Sequence, residues 1–203
     1  MARHRPETLD RKSLIMIAAG AVGGGVAIAI MELLSAQLTY PLASIPFATS
    51  IVLVMGSPEA KPAQPRALVG GHLLSALAGL MVVKAVGPGP FAAASAVCLA
   101  MAAMHLSRTF HPPAGINPLL IALGDLPWTF LLVPVAAGAL LLLAFAYVWH
   151  NGTRRGSWPQ ETWSEAFMAS PLPPPAAGAA IRRVPASGAA DGTPTMSNDG
   201  RSK

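Results

Sequence analysis

Charged residues nearly vanish from the middle of this chain. Between residues 13 and 150 the Asp, Glu, Lys and Arg side chains are Glu32, Glu59, Lys61, Arg66, Lys84, Arg108 and Asp125. Apolar stretches at 14–31, 67–83, 85–107 and 128–149 separate them. A helix that crosses a hydrocarbon core needs about 20 apolar residues, within a range of roughly 17–25. Helices at the surface of a soluble domain show a polar face, and these stretches show none. The chain as a whole is 53% hydrophobic and 11% charged, against about 25% charged in ordinary soluble domains. The reading is an all-α, polytopic membrane helix bundle, with the lipid bilayer as its first partner.

Six segments follow along the chain, at about 13–36, 41–57, 67–86, 91–108, 110–125 and 128–149. The second and fifth are short and interrupted by proline. The fold expected is therefore four full spans plus two short Pro-broken segments. If those two also cross, the six crossings make a 3+3 inverted repeat. Residues 1–12 form an N-terminal lead, 13–150 the transmembrane domain and 151–203 a mostly disordered tail. Arg3, Arg5, Arg11 and Lys12 at one end, and Arg154, Arg155, Arg182 and Arg183 at the other, follow the positive-inside pattern. They place both termini in the cytoplasm, with the bacterial plasma (inner) membrane as the expected location. The strip "SWPQETWSEAFM" at 157–168 reads equally as an interfacial helix, with Trp158, Trp163 and Phe167 at the headgroups, or as a disordered stretch. The glycine-rich runs "GAVGGG" and "GGHLLSALAG" suit close helix packing, and a homo-oligomer is expected through them.

The fifth segment begins "RTFHPPAGINPLL" at 108–120. Proline removes a backbone donor and clashes with the preceding turn. It also drives the residue before it out of the helical region. The chain must therefore be extended near His111 and can restart as a helix at Pro113 or Ala114. Backbone groups freed at membrane depth cost several kcal/mol each unless satisfied, so such a break implies an internal cavity or pathway. A helix start carries roughly half a positive charge and suits an anion. The second segment restarts near Phe47 and Ala48, with Thr49 and Ser50 in its first turn; the fifth places Asn117 there. Paired broken segments in two halves of a transporter point to its binding site.

Candidate site residues are accordingly His111, Pro112, Pro113, Ala114, Gly115, Asn117, Thr49, Ser50, Arg108, His72 and Arg66. His111 titrates near neutral pH and sits at the break, which favours a functional role over a cap on freed carbonyls. For His72, packing and pathway are equally open. For Arg66 and Arg108, so are topology anchors and pathway. No metalloprotease, Walker, nucleophile-elbow or dinucleotide signature is present, so no enzymatic activity is expected. No cofactor or metal site is expected either, since Cys98 is the single cysteine and a metal would require His72, His105 and His111 to converge. The net charge of +5 gathers at the chain ends, which does not suggest nucleic acid as a partner.

"SPEAKPAQPRALVGGHLLSALAGL" at 57–80 and "RTFHPPAGINPLL" at 108–120 together resemble the HPP family of integral membrane proteins, named for its His-Pro-Pro motif. The resemblance covers about residues 38–150. It implies His111, Pro112, Pro113, Ala114 and Gly115 as the signature, and Gln64, Pro65, Arg66, Gly70, Gly71 and His72 as a second block. It also implies a four-spanning protein with a transport role; plant plastid relatives are linked to nitrite. The steps "FATS" and "AGINP" depart from the Gly-Ala-Ser or Gly-Ala-Thr that family members usually carry after the breaks. The expected function is a transporter or channel for a small anion, with nitrite leading. The alternative is a membrane scaffold or sensor that recruits partners through its tail.

Overall fold

The computed structural model describes residues 10–37, 45–154 and 156–160. Expectations for the N-terminal lead up to residue 9, for Pro41, for Trp163 and Phe167, and for the tail from 161 lie outside the described residues. Among the described residues all regular structure is helical: α1 (Arg11–Ser35), α2 (Ile45–Gly56), α3 (Pro65–Val86), α4 (Pro90–Leu106), α5 (Ile116–Gly124) and α6 (Ala137–Thr153). Short 3₁₀ turns at Lys61–Ala63 and Pro112–Gly115 precede α3 and α5, and a π turn at Leu131–Ala136 leads into α6.

Each helix boundary has a local cause. Asp10 caps α1 by accepting the Ser13 N–H at 2.8 Å. The Ser13 hydroxyl first, and its N–H second, hold the Asp10 carboxyl below its ordinary value, as expected when the charged form is the one bonded. Proline occupies the first turns of α3 and α4, where its missing N–H has no helical partner to lose. Asp125 ends α5 in the left-handed region at φ 45°. Val133, driven extended by Pro134 (φ −134°, ψ 118°), produces the π turn.

Among the described residues three helices are long and apolar enough to cross a membrane: Arg11–Ser35, Pro65–Val86 and Leu131–Thr153. With 17 residues, α4 sits at the short end of the spanning range. At 12 and 9 residues, α2 and α5 extend about 18 and 14 Å at 1.5 Å per residue, roughly half of a 30 Å core. The two broken segments are thus short helices in the structure, as their prolines predict.

The central helix is α3, which packs on α4, α5, the 112–115 turn and the approach to α6. The outer helix is α1, which touches α2 and α6. Its remaining faces show Leu14, Ile17, Val22 and Leu33 outward, as lipid-facing positions should. The glycines expected to pack against other copies are largely spent inside the chain. A Cβ on Gly20 would lie 2.6 Å from the Met55 carbonyl oxygen, and one on Gly23 2.5 Å from Trp149 Nε1.

The domain's C-terminal edge differs from expectation. α6 continues to Thr153, and Trp158, for which the sequence left headgroup contact and a disordered stretch equally open, is buried in the core formed by α1, α2 and α6. Its indole Nε1–H donates to the Ala63 carbonyl at 3.3 Å, and Asn151 Nδ2 holds its carbonyl at 2.6 Å. Gln64 Oε1 accepts the Gln160 N–H at 2.9 Å. The strap at 156–160 therefore closes over the turn that carries Pro62. Burying a large aromatic outweighs leaving it at an interface where half its surface stays wet. Trp158→Ala should cost about 3–5 kcal/mol, the range for truncating a buried Trp or Phe. Thermal unfolding in detergent checks this: a clear fall in midpoint is expected, and an unchanged midpoint contradicts the buried strap.

Candidate functional site

The break at 108–113 lies against the start of α3, and two glycines make room for it. A Cβ on Gly70 would lie 2.6 Å from Thr109 Cγ2; one on Gly71 would lie 2.6 Å from His111 Cβ and 2.8 Å from the Thr109 carbonyl oxygen. The adjacent His72 on α3 then faces the same buried point as His111. Arg108 takes a positive φ of 60° in turning the chain out of α4. His111 is extended at φ −128°, ψ 96°, as its following proline requires.

A fully buried polar cluster results. Ser50 Oγ on α2 lies 2.9 Å from His72 Nε2 and 3.0 Å from His111 Nε2. His111 Nδ1 lies 2.6 Å from the Pro62 carbonyl oxygen. Asn117 Nδ2, in the first turn of α5, lies 3.0 Å from His72 Nδ1, 3.3 Å from the His72 carbonyl and 2.9 Å from Ser75 Oγ. Ser75 Oγ in turn donates to the His72 carbonyl at 3.1 Å. Ser50, His72, Ser75, His111 and Asn117 have no exposed surface. Phe47 stacks on the His72 ring, centroids 4.4 Å apart, and its other side meets α6 where Gly138 leaves room.

The partners fix the protons. A carbonyl only accepts, so His111 Nδ1 carries hydrogen and the neutral ring presents a lone pair at Nε2. The Asn117 amide nitrogen only donates, so His72 Nδ1 accepts and its Nε2 carries hydrogen. Ser50 accepts from His72 and donates to His111. The bonds thus run one way: Asn117 to His72, His72 to Ser50, Ser50 to His111, His111 to Pro62. Asn117 Oδ1 is buried with no hydrogen-bond partner among the described residues.

The residues expected at the site divide. Ser50, His72, His111 and Asn117 come together. Buried Ala114, half-buried Pro113 and Gly115, and exposed Pro112 form the 3₁₀ turn that carries His111 toward α5. Thr49 is exposed and lies off the cluster. Arg66 Nη2 donates to the Ser107 carbonyl at 2.7 Å and ties α3 to the end of α4, while Arg108 is half-buried in the turn that follows. Among the described hydrogen bonds none joins either arginine to the cluster. His105 is exposed and stacks on Phe110 at 4.0 Å, so the three histidines do not converge. No group of three or more His, Cys, Asp or Glu side chains placed to hold a metal occurs among the described residues. The two helix starts meet through side chains: the second turn of α2 meets His111, the first turn of α5 meets His72, and Ser50 links the two rings. Ser75 was missed, although it stands three residues from His72 on one helical face. The Pro62 carbonyl carries no sequence signal of its own.

Solid-state ¹⁵N spectra of the protein in bilayers at neutral pH should show His111 protonated at Nδ1 and His72 at Nε2. The reverse tautomers would contradict the cluster.

The model of the HPP transmembrane region matches residues 9–159. Two transmembrane proteins of Dictyostelium discoideum are each 36% identical to the chain, over 140 and 125 residues, or 65% and 58% of its length. Those stretches are 48% and 40% of the relatives, so the chain spans less than half the length of each. No solved structure matches the chain. The match reaches past α6 to Pro159, so it takes in the strap that buries Trp158 as well as both broken segments. By its sequence and its helical architecture, the chain belongs to the HPP family of integral membrane proteins.

Proposed function

We propose that this protein carries a small anion across the membrane, with nitrite the leading candidate, and that the Ser50–His72–His111–Asn117 cluster is its binding site. The observation behind the reading is the meeting of both Pro-broken half-length helices on one buried polar cluster inside a mainly apolar bundle. Buried polar groups in a membrane are expensive and serve pathways more often than packing, and discontinuous helices are a usual place for a transporter's site. Lys61, Arg66 and Arg108 outnumber Glu59 on the segments flanking the cluster, a net positive charge that attracts anions toward it. Nitrite enters from the resemblance to plastid family members. The basic residues near both ends of the chain support cytoplasmic termini in the plasma membrane.

Purified protein in liposomes should take up nitrite or another small anion faster than empty liposomes do. Uptake at the empty-liposome rate across an anion panel would overturn the reading. The alternative, a scaffold acting through its tail, is separated by deletion of residues 161–203, which spares the buried strap. A transporter keeps its flux after this cut; a tail-dependent scaffold loses partner capture.

A further inference from the structure

We infer that Ser50 Oγ marks the place of one oxygen of a small oxyanion, and that His72 and His111 take up this oxyanion together with one proton. The inference rests on the anion-transport reading and adds the coupling ion and the atoms that bind it.

Two imidazole Nε2 atoms, one from α3 and one from the break before α5, converge on a single point at 2.9 and 3.0 Å. In the neutral cluster, His72 brings a hydrogen to that point and His111 brings a lone pair. A serine hydroxyl suits this pairing, because it accepts one bond and donates another. An anion oxygen does not suit it, because it only accepts and would face the His111 lone pair. One proton added at His111 Nε2 changes the match. Both Nε2 atoms then donate to the same point, and an oxygen that only accepts becomes the better occupant. His111 Nδ1–H stays on the Pro62 carbonyl, so no second proton moves.

The proton comes from hydronium or from the protonated form of the same weak acid. In the latter case the acid's O–H bond breaks, a new N–H bond forms at His111 Nε2, and the anion keeps the electron pair. Proton and anion together leave the cluster's net charge unchanged. Either alone leaves an unpaired charge in a fully buried site, at a penalty of several kcal/mol. The two therefore enter as a pair, one proton per anion. The Ser50 hydroxyl keeps an acceptor once the His111 lone pair is protonated, because the Pro46 carbonyl, one turn back, already lies 3.3 Å from Oγ.

The groups around His111 suit this role. From α2 it meets Ser50, from α3 His72, and from the Lys61–Ala63 turn the Pro62 carbonyl. Asn117 of α5 reaches it through His72. The charged side chains on the segments next to the cluster are Lys61, Arg66 and Arg108 together with one carboxylate, Glu59, which is exposed; Lys84 and Asp125 stand at the far ends of α3 and α5. No acidic side chain makes a described hydrogen bond to either ring, so the anion itself is the counter-charge for the added proton.

The test is proton counting during nitrite binding, with full-length protein in detergent, weak buffer and a pH indicator. Wild-type protein should take up one proton per nitrite bound. His111→Gln should lose that uptake. Ser50→Ala, which removes the internal competitor, should bind nitrite several-fold more tightly with proton uptake intact. Nitrite binding without proton uptake in wild-type protein, or the same uptake in His111→Gln, overturns the coupled site and leaves anion transport standing. Weaker nitrite binding by a folded Ser50→Ala overturns the assignment of Oγ as the oxygen position. If Ser50→Ala does not fold, the wild-type proton count alone decides. Absence of binding by nitrite and every other anion of the panel overturns this inference and the transport reading together.

Discussion

A single serine hydroxyl between two histidines joins the pieces of this structure that no covalent or regular helical link joins. Ser50 belongs to α2, His72 to α3 and His111 to the break before α5. Each ring is also held at its other nitrogen, His72 by Asn117 and His111 by the Pro62 carbonyl. In an apolar bundle, a buried polar atom that loses its partner costs about 1–3 kcal/mol, so the members of the cluster constrain one another. The half-length helices α2 and α5 cannot span a bilayer alone, and their positions are set where these bonds hold them.

That arrangement also connects the site to the end of the chain. Trp158 packs over the 61–63 turn and donates to the Ala63 carbonyl, one residue from the carbonyl that orients His111. Gln64 fastens the same turn from within through the Pro58 carbonyl at 2.8 Å and accepts from Gln160. The positioning of His111 Nδ1–H thus rests on a continuous set of contacts that runs from α6 through the strap to the Lys61–Ala63 turn.

Much of this was legible in the sequence, for identifiable reasons. Long uncharged stretches specify membrane helices because lipid offers no partner for polar groups, and the six segments appear close to where composition puts them. The extended backbone at His111 follows from Pro112 alone. Ser50, His72, His111 and Asn117 could all be named, because polar residues in apolar segments are few. Their mutual bonds could not, because they depend on how α2 and α5 dock on α3 and on a backbone carbonyl at Pro62. The glycine pair at 70–71 looked like a surface for another copy and proved to be the groove for residues 109–111, a distinction that turns on which face of α3 is covered. Trp158 looked interfacial or disordered because its local sequence is polar and Pro-containing; its burial comes from a turn nearly a hundred residues earlier. Arg108, three residues after His105, reads as sharing a helical face with it, but its positive φ breaks that register.

The central claim is that His111 is a titrating member of an anion pathway and more than a cap on the Pro62 carbonyl. The most direct measurement is the pH profile of nitrite flux into liposomes for wild-type protein and for His111→Gln, at matched insertion. The account predicts wild-type flux that rises as the pH falls, and a flat, reduced profile for the variant. A His111→Gln protein that transports with the wild-type pH profile would contradict it.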